Sequence, residues 1–299
     1  MTSETADARL RIVIPKGSLE AKTLQLFEDA DLAVLRSSDR EYRAQIDDPR
    51  IEEVRILRPQ EIGRYVEEGI FDVGITGRDW IEEWQSDVVT VTELPFSRAT
   101  PRPTRTVLAV PHDSGIEEAA DLPDGAKIST EFPEMTRRFF DSIGKPVRIY
   151  MSYGATEAKV PDIVDAIVDI TETGSSLRKA GMVIVHELCR SYPELVANKV
   201  AWADAGKRRA IEEITILLRG AMDARGKVLL KLNVGTGALE DVLAALPSMK
   251  SPTVNELAHS SGYAVETIVA KAEINTLIPM LKASGATDLV EVPVTKIVP

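Results

Sequence analysis

The sequence predicts an α/β protein built from two architectures in series. Three observations carry this. Short apolar, β-branched runs alternate with helix-length amphipathic segments through roughly the first 220 residues. A Pro- and Arg-rich segment, FSRATPRPTR (96–105), divides that alternation into two similar sets, as a crossing between lobes would. From about residue 223 the order becomes strand, helix, strand, strand, helix, strand, which is the ferredoxin-like pattern.

Residues 9–15 read as a strand because LRIVI is apolar and β-branched. Lys16-Gly17-Ser18 then turns into a helix whose apolar face is Leu19, Thr23, Leu26, Phe27 and Ala30. A strand at 54–57, a helix at 60–68 ended by Gly69, a strand at 71–76 broken by Gly77, and a strand at 88–94 complete the first set. The second set has strands at 106–110, 127–130, 147–151, 165–171 and 182–188, with helices at 133–143 and 175–180. A helix at 212–221 shows Ile211, Ile214, Leu217 and Leu218 on one face. Alternation of this length implies parallel sheets. Two such lobes imply a cleft, with ligands at the carboxyl ends of the strands.

In the last part, strands are expected at 228–234, 253–258, 264–270 and 289–298, the middle two around Ser260-Ser261-Gly262. Leu239, Val242, Leu243 and Leu246 make one helical face, and Ile274, Leu277, Ile278 and Leu281 another. The expected organisation is a two-lobed core over 1–222, its second lobe inserted at roughly 100–185, and a small domain over 223–299.

The charge balance, 36 basic against 47 acidic side chains, gives −11 and argues against a nucleic-acid or anionic-membrane partner. With a single cysteine, Cys189, no disulfide forms within the chain, and a reducing cytoplasm is expected. Cys189 reads as a small buried apolar group, with His186 placed where strand and helix meet. Three histidines argue against an all-protein zinc site. No run of 18 apolar residues suggests a membrane span, and the polar first eight residues read as a tail, not a secretory signal.

The strongest chemical signal is DAIVDITETGSSL (165–177). An apolar strand delivers Asp169, and a run of hydroxyls around Gly174 leads into a helix near Ser175. Free amides at a helix start favour an anion. Gly174 lets the backbone approach closely, and Thr171, Thr173, Ser175 and Ser176 add hydroxyl donors. Asp169 would repel phosphate but can accept from ribose hydroxyls, or hold magnesium through water. A polar helix cap uses the same residue types; four hydroxyls behind a strand-end carboxylate favour a sugar phosphate. The Walker lysine is missing, which argues against a nucleotide triphosphatase. Further candidates sit at strand-to-helix turns: Lys16 in PKGSL, Arg58 in LRP, and Asp72, Thr76, Gly77, Arg78 and Asp79 in FDVGITGRD.

Together these segments resemble ATP phosphoribosyltransferase in its long form. GATEAKVPDIVDAIVDITETGSSL (154–177) is similar to that family's signature, and IPKGSL, ILRPQEI and FDVGITGRD match its N-terminal motifs in order. LPSMKSPTVNEL and the strand–helix–strand after it are similar to its regulatory domain. The resemblance implies a core like that of periplasmic binding proteins, a histidine-binding C-terminal domain, and a hexamer exchanging with dimers. It implies condensation of ATP with phosphoribosyl pyrophosphate (PRPP), assisted by magnesium whose ligands it leaves open, as the first step of histidine biosynthesis. By position, Asp169, Ile170, Thr171, Glu172, Thr173, Gly174, Ser175, Ser176 and Glu157 would bind PRPP. Lys16 and Arg58 would act on the leaving group, and Asp72, Thr76, Gly77 and Arg78 would bind ATP. Asn233, where some members carry Asp, and Thr253 would meet histidine. Competing readings are a small-ligand sensor, a phosphoribosyltransferase with another acceptor, and a silent assembly subunit. The ordered motifs and the loop at 169–176 weigh against all three.

Overall fold

The computed structural model describes residues 9–38, 40–96, 102–247, 251–258 and 261–299. The expectations for the first eight residues, for Ser260 and for most of FSRAT and PSMK lie outside these residues. The described chain separates into two units: Asp29–Asp31 with Ile216–Pro299, and the remainder up to Thr215.

The first unit holds two sheets. Strands β1 (Leu10–Pro15), β2 (Arg43–Ala44), β3 (Ile51–Leu57), β4 (Val73–Gly77) and β5 (Val89–Glu93) belong to the first lobe, with helices α1 (Glu20–Asp29), α2 (Pro59–Glu67) and α3 (Arg78–Trp84). The second lobe has β6 (Thr104–Pro111), β7 (Ala126–Thr130), β8 (Val147–Met151), β9 (Ala166–Thr171) and β10 (Met182–Ser191), with α4 (Pro133–Ser142) and α5 (Ser175–Lys179). The chain then returns as β11 (Pro193–Ala197), α6 (Lys199–Ala203) and α7 (Ala205–Ala224), whose residues from Ile216 belong to the second unit. Sheet orders are β2-β3-β1-β4-β11-β5 and β10-β6-β9-β7-β8. Strand β1 buries Leu10, Ile12, Val13 and Ile14 together, the signature of a strand covered on both faces.

The sheets are mixed, not parallel throughout. β1, β3 and β4 run parallel, as do β7, β8 and β9. Strand β11 is antiparallel to both β4 and β5, and β6 is antiparallel to β9 and β10. The chain that crosses between lobes and back has to run against the parallel set. Strand β11 (PELVA) opens with Pro and Glu and so lacks a strand-like start. His186 lies inside β10, not at a strand–helix junction, and stacks on Phe139 with ring centroids 4.4 Å apart.

The second unit carries β12 (Lys227–Val234), α8 (Leu239–Ala245), β13 (Thr253–Glu256), β14 (Tyr263–Ala270), α9 (Ile274–Ala283) and β15 (Ala286–Pro293). The sheet order β13-β14-β12-β15 is the ferredoxin-like one expected. The closing strand starts and ends earlier than the sequence suggests. Alternation along β12 points Val228, Leu230, Leu232 and Val234 into a core with Val242, Ile274, Leu277 and Leu281.

Two residues of FDVGITGRD serve the sheet instead of the cleft. Asp72 precedes β4 at its amino end, about 16 Å of strand from Gly77. It is buried, accepts from the Arg11 amide at 2.9 Å, and pairs with Lys207 Nζ at 2.7 Å and Arg11 Nη2 at 3.3 Å. Thr76 is fully buried and donates its hydroxyl to the Pro59 carbonyl at 2.7 Å. Asp72 lies at the end of β4 away from the groove, and Thr76 commits its hydroxyl to the Pro59 carbonyl and does not line the groove.

Burial raises the Asp72 carboxyl, but hydrogen bonds from Arg11 and Lys207 outweigh it and hold the group below the usual carboxylate range. A depressed carboxylate stabilises the fold above its unfolded pKa, about 3.9, and loses that contribution as pH falls through its lower folded value. Asp72→Asn should therefore cost about 1–2 kcal/mol at neutral pH, discounted for partners that remain partly exposed. Denaturant unfolding should show the gap between parent and variant closing as pH drops below about 4.

Candidate active site

The carboxyl ends of β1, β3 and β4 from one lobe, and of β9 from the other, open onto one groove of about 550 Å³. The first lobe contributes Ser18, Leu19, Pro59, Gly77, Asp79 and Trp80. The second contributes Ile170, Thr171, Glu172, Thr173, Ser175 and Ser176. Thr104, Ser191 and Pro193, on the crossing segments, close the back. The crossings are tied to each other: Thr104 Oγ1 donates to the Ser191 carbonyl at 3.1 Å.

The loop after β9 takes its shape from its own hydroxyls. Buried Thr171 Oγ1 accepts the Gly174 amide at 2.9 Å, so this hydroxyl folds the loop as well as lining it. Gly174 has φ 72°, and a Cβ there would meet Arg178 Nη1 at 2.9 Å. Thr173, Ser175 and Ser176 are exposed to the groove. Helix α5 has only five residues, so its dipole is small. What it offers an anion is local: the first-turn amides, which have no intrahelical acceptor. Two arginines absent from the sequence reading stand nearby. Arg178 follows Gly174 by one helical turn, and Arg105 pairs with Thr171 across β6 and β9.

Asp169 sits on β9 just below this loop, half-buried, with Oδ1 accepting its own neighbour's amide, Ile170, at 2.7 Å. Burial pushes its carboxyl up to about 6, and the charges of Glu157 and Glu131 add to the rise while Lys159 opposes it. Glu157 lies in the 3₁₀ turn Thr156–Lys159, which leans on β7 and β9. Lys159, also missed from sequence, is held by Ser152 Oγ at 2.6 Å and Ser129 Oγ at 3.3 Å.

Lys16 and Arg58 occupy the turns after β1 and β3, close in sequence to the groove-lining residues Ser18, Leu19 and Pro59. The Lys16 amide donates to the Leu57 carbonyl at 2.7 Å, which sets the two turns side by side. Lys16 Nζ lies 3.4 Å from Glu20 Oε1 and 5.4 Å from the Tyr42 ring centre. Arg58 is exposed at the start of α2, where Pro59 occupies the first turn. Gly77 lines the groove because Asp79 fills the space of a side chain: a Cβ would fall 2.1 Å from Asp79 Oδ1. Asp79 is buried at the floor, its carboxyl pushed up to about 6 by burial against the pull of the Trp80 amide and Ser191.

Arg78 turns elsewhere. It pairs with Glu82 and Glu194, and lines a separate cavity of about 470 Å³ with Arg138, His186, Cys189 and Arg190. Cys189 is partly buried there, its thiol pushed up to about 12 by burial, which fits an inert small side chain better than a nucleophile. No helix among the described residues is long and apolar enough to cross a membrane.

Comparison with known proteins identifies the family. Residues 58–220 match the family HisG, ATP phosphoribosyltransferase, and residues 224–296 match the HisG C-terminal domain. An ATP phosphoribosyltransferase of Desulforudis audaxviator is 46% identical over 97% of this chain and 100% of its own length. One from Pelotomaculum thermopropionicum is 44% identical over the same shares. Among solved structures, the ATP phosphoribosyl transferase (HisG:HisZ) complex from Thermotoga maritima superposes with a TM-score of 0.61 at 27% identity, covering 70% of this chain and 98% of that chain. The chain belongs to the ATP phosphoribosyltransferase family, a family of pentosyltransferases.

Proposed function

We propose that the groove binds PRPP and ATP together and joins them into phosphoribosyl-ATP and pyrophosphate, opening histidine biosynthesis. The observation that carries this reading is the loop 171–176 facing Gly77 and Ser18 across one groove. The 5′-phosphate lies against the first-turn amides of α5 and the hydroxyls of Thr173, Ser175 and Ser176. Asp169 accepts from the ribose hydroxyls. A ring nitrogen of adenine attacks the anomeric carbon with its lone pair as the bond to the pyrophosphate oxygen breaks, and the bonding electrons leave with pyrophosphate. Because the nucleophile is already a lone pair, the protein's work is positioning and charge. In this reading Lys16 and Arg58 neutralise the leaving group. Gly77 brings its backbone to the groove wall that ATP would line.

No three acidic, imidazole or thiol groups converge among the described residues. Magnesium fits this better than a cation needing a protein cage, since it takes few carboxylates and keeps water and substrate phosphates as ligands. Asp79 and Glu172, both lining the groove, are the carboxylates such an ion would meet. Its chemistry there is charge neutralisation on pyrophosphate.

For the second unit we propose histidine binding that lowers turnover, in a dimer–hexamer equilibrium. Alternation places Asn233 on the face of β12 turned away from the core. Thr253, on β13, lies opposite Glu266, which faces Lys231, two residues before Asn233 on β12. Asn233 Nδ2 donates to Asp288 Oδ2 at 3.0 Å. The carboxylate that an ammonium group would want at position 233 is thus present beside it, on Asp288.

Two outcomes follow. The rise of Asp169 to about 6 means the acceptor form is complete only above that pH. The kcat/KM for PRPP should fall about tenfold per pH unit below it, and Asp169→Asn should lower kcat/KM and flatten that limb, read from initial rates of pyrophosphate release. An unchanged limb would assign it to the substrate phosphate. Histidine should depress the initial rate, and Asp288→Ala should weaken its affinity at least about tenfold with the uninhibited rate kept. A flat response of the parent enzyme would confine this unit to assembly.

A further inference from the structure

Glu83 is fully buried on α3, in the first lobe, but its carboxylate serves the second. Its Oε1 accepts the amide of Glu134 at 2.9 Å, and its Oε2 that of Met135 at 2.8 Å. These are first-turn donors of α4. That helix starts with Pro133 and has no cap from its own Phe132, so the acceptor comes from across the lobe boundary. The tie is returned. Arg138, on α4, donates from Nη1 to the Glu83 carbonyl at 3.2 Å and from Nη2 to the Glu82 carbonyl, at the carboxyl end of α3. Each helix therefore caps the other's exposed end, carboxylate on amides and guanidinium on carbonyls. Burial pushes the Glu83 carboxyl up while the two amides and Arg138 pull it back.

The contact sits directly behind the groove. Trp80, one turn before Glu83, lines the groove wall and packs on Phe132 with ring centroids 4.5 Å apart. Phe132 follows β7 and leads into α4, so the same few residues join groove wall, lobe boundary and helix ends.

We propose that Glu83 is a positioning residue that fixes the angle between the lobes, so that the loop 171–176 is held at working distance from Ser18 and Gly77. The proposal rests on the groove being the PRPP site. A ligand that touches both lobes binds only the fraction of molecules with the lobes correctly set, and its apparent affinity falls with that fraction. Once bound, the ligand restores the setting. Loss of the tie therefore raises KM for PRPP and spares kcat at saturation. A cap that merely stabilised α4 would do the reverse: it would lower the active fraction, and with it kcat, at unchanged KM.

The test is steady-state kinetics of the full-length enzyme with ATP, PRPP and magnesium. Glu83→Ala should raise KM for PRPP about tenfold, with kcat within about twofold of the parent. Glu83→Gln, which keeps one acceptor and sets an amide N–H against a backbone N–H, should fall between. Arg138→Lys keeps the charge but loses the fork that reaches two carbonyls; it should raise KM in the same direction, and it decides the question if the Glu83 variants do not fold. A lowered melting temperature or kcat with KM for PRPP unchanged in these variants overturns the positioning role. A parent enzyme that releases no pyrophosphate from PRPP would instead overturn the groove reading.

Discussion

A protein of net charge −11 can hold a polyanionic sugar only where the positive ends of its backbone converge with a few cations. That constraint organises the first unit. Parallel strands in each lobe direct their carboxyl ends, and the turns after them, toward a single groove. The turns bring backbone amides. Arg105 and Arg178 stand beside Gly174 in the loop after β9, and Lys16 and Arg58 stand on the turns after β1 and β3. Thr171, by accepting the Gly174 amide, keeps the loop in the conformation that exposes the amides beyond it.

Asp79, which lines the groove, and Asp169, one residue before the groove-lining end of β9, are both raised to about 6 by burial. Neither is neutralised by a direct ion pair among the described residues, in contrast to Asp72, which is bracketed by Arg11 and Lys207. Asp72, paired on both sides, is depressed. Asp79 and Asp169 are desolvated and raised, so their charged forms would gain most from an arriving hydroxyl or cation.

The loop 169–176 was legible in sequence because its chemistry is local: strand, turn and helix lie within a dozen residues, and their order alone predicts the cradle. The ferredoxin-like order of the second unit was legible for the same reason. Asp72 and Thr76 misled because a strand-end motif spans the strand's full length. Only Gly77 and Asp79 reach the groove end, while Asp72 stays at the other end and Thr76 points its hydroxyl to Pro59. Arg105, Lys159 and the Glu83–α4 tie had no local signal; each is set by a partner far along the chain. Strand β11 and the mixed sheets escaped because crossing back between lobes is a property of the whole path, not of any window in it.

The position of a bound sugar phosphate decides whether this groove is the active site. A crystal structure of the enzyme soaked with PRPP and magnesium measures this directly. The 5′-phosphate should lie within hydrogen-bond distance of the amides that begin α5, with the ribose hydroxyls on the Asp169 carboxylate. A sugar phosphate seated instead in the arginine-lined cavity beside Arg78 and Arg138, with the loop after β9 empty, would contradict this placement.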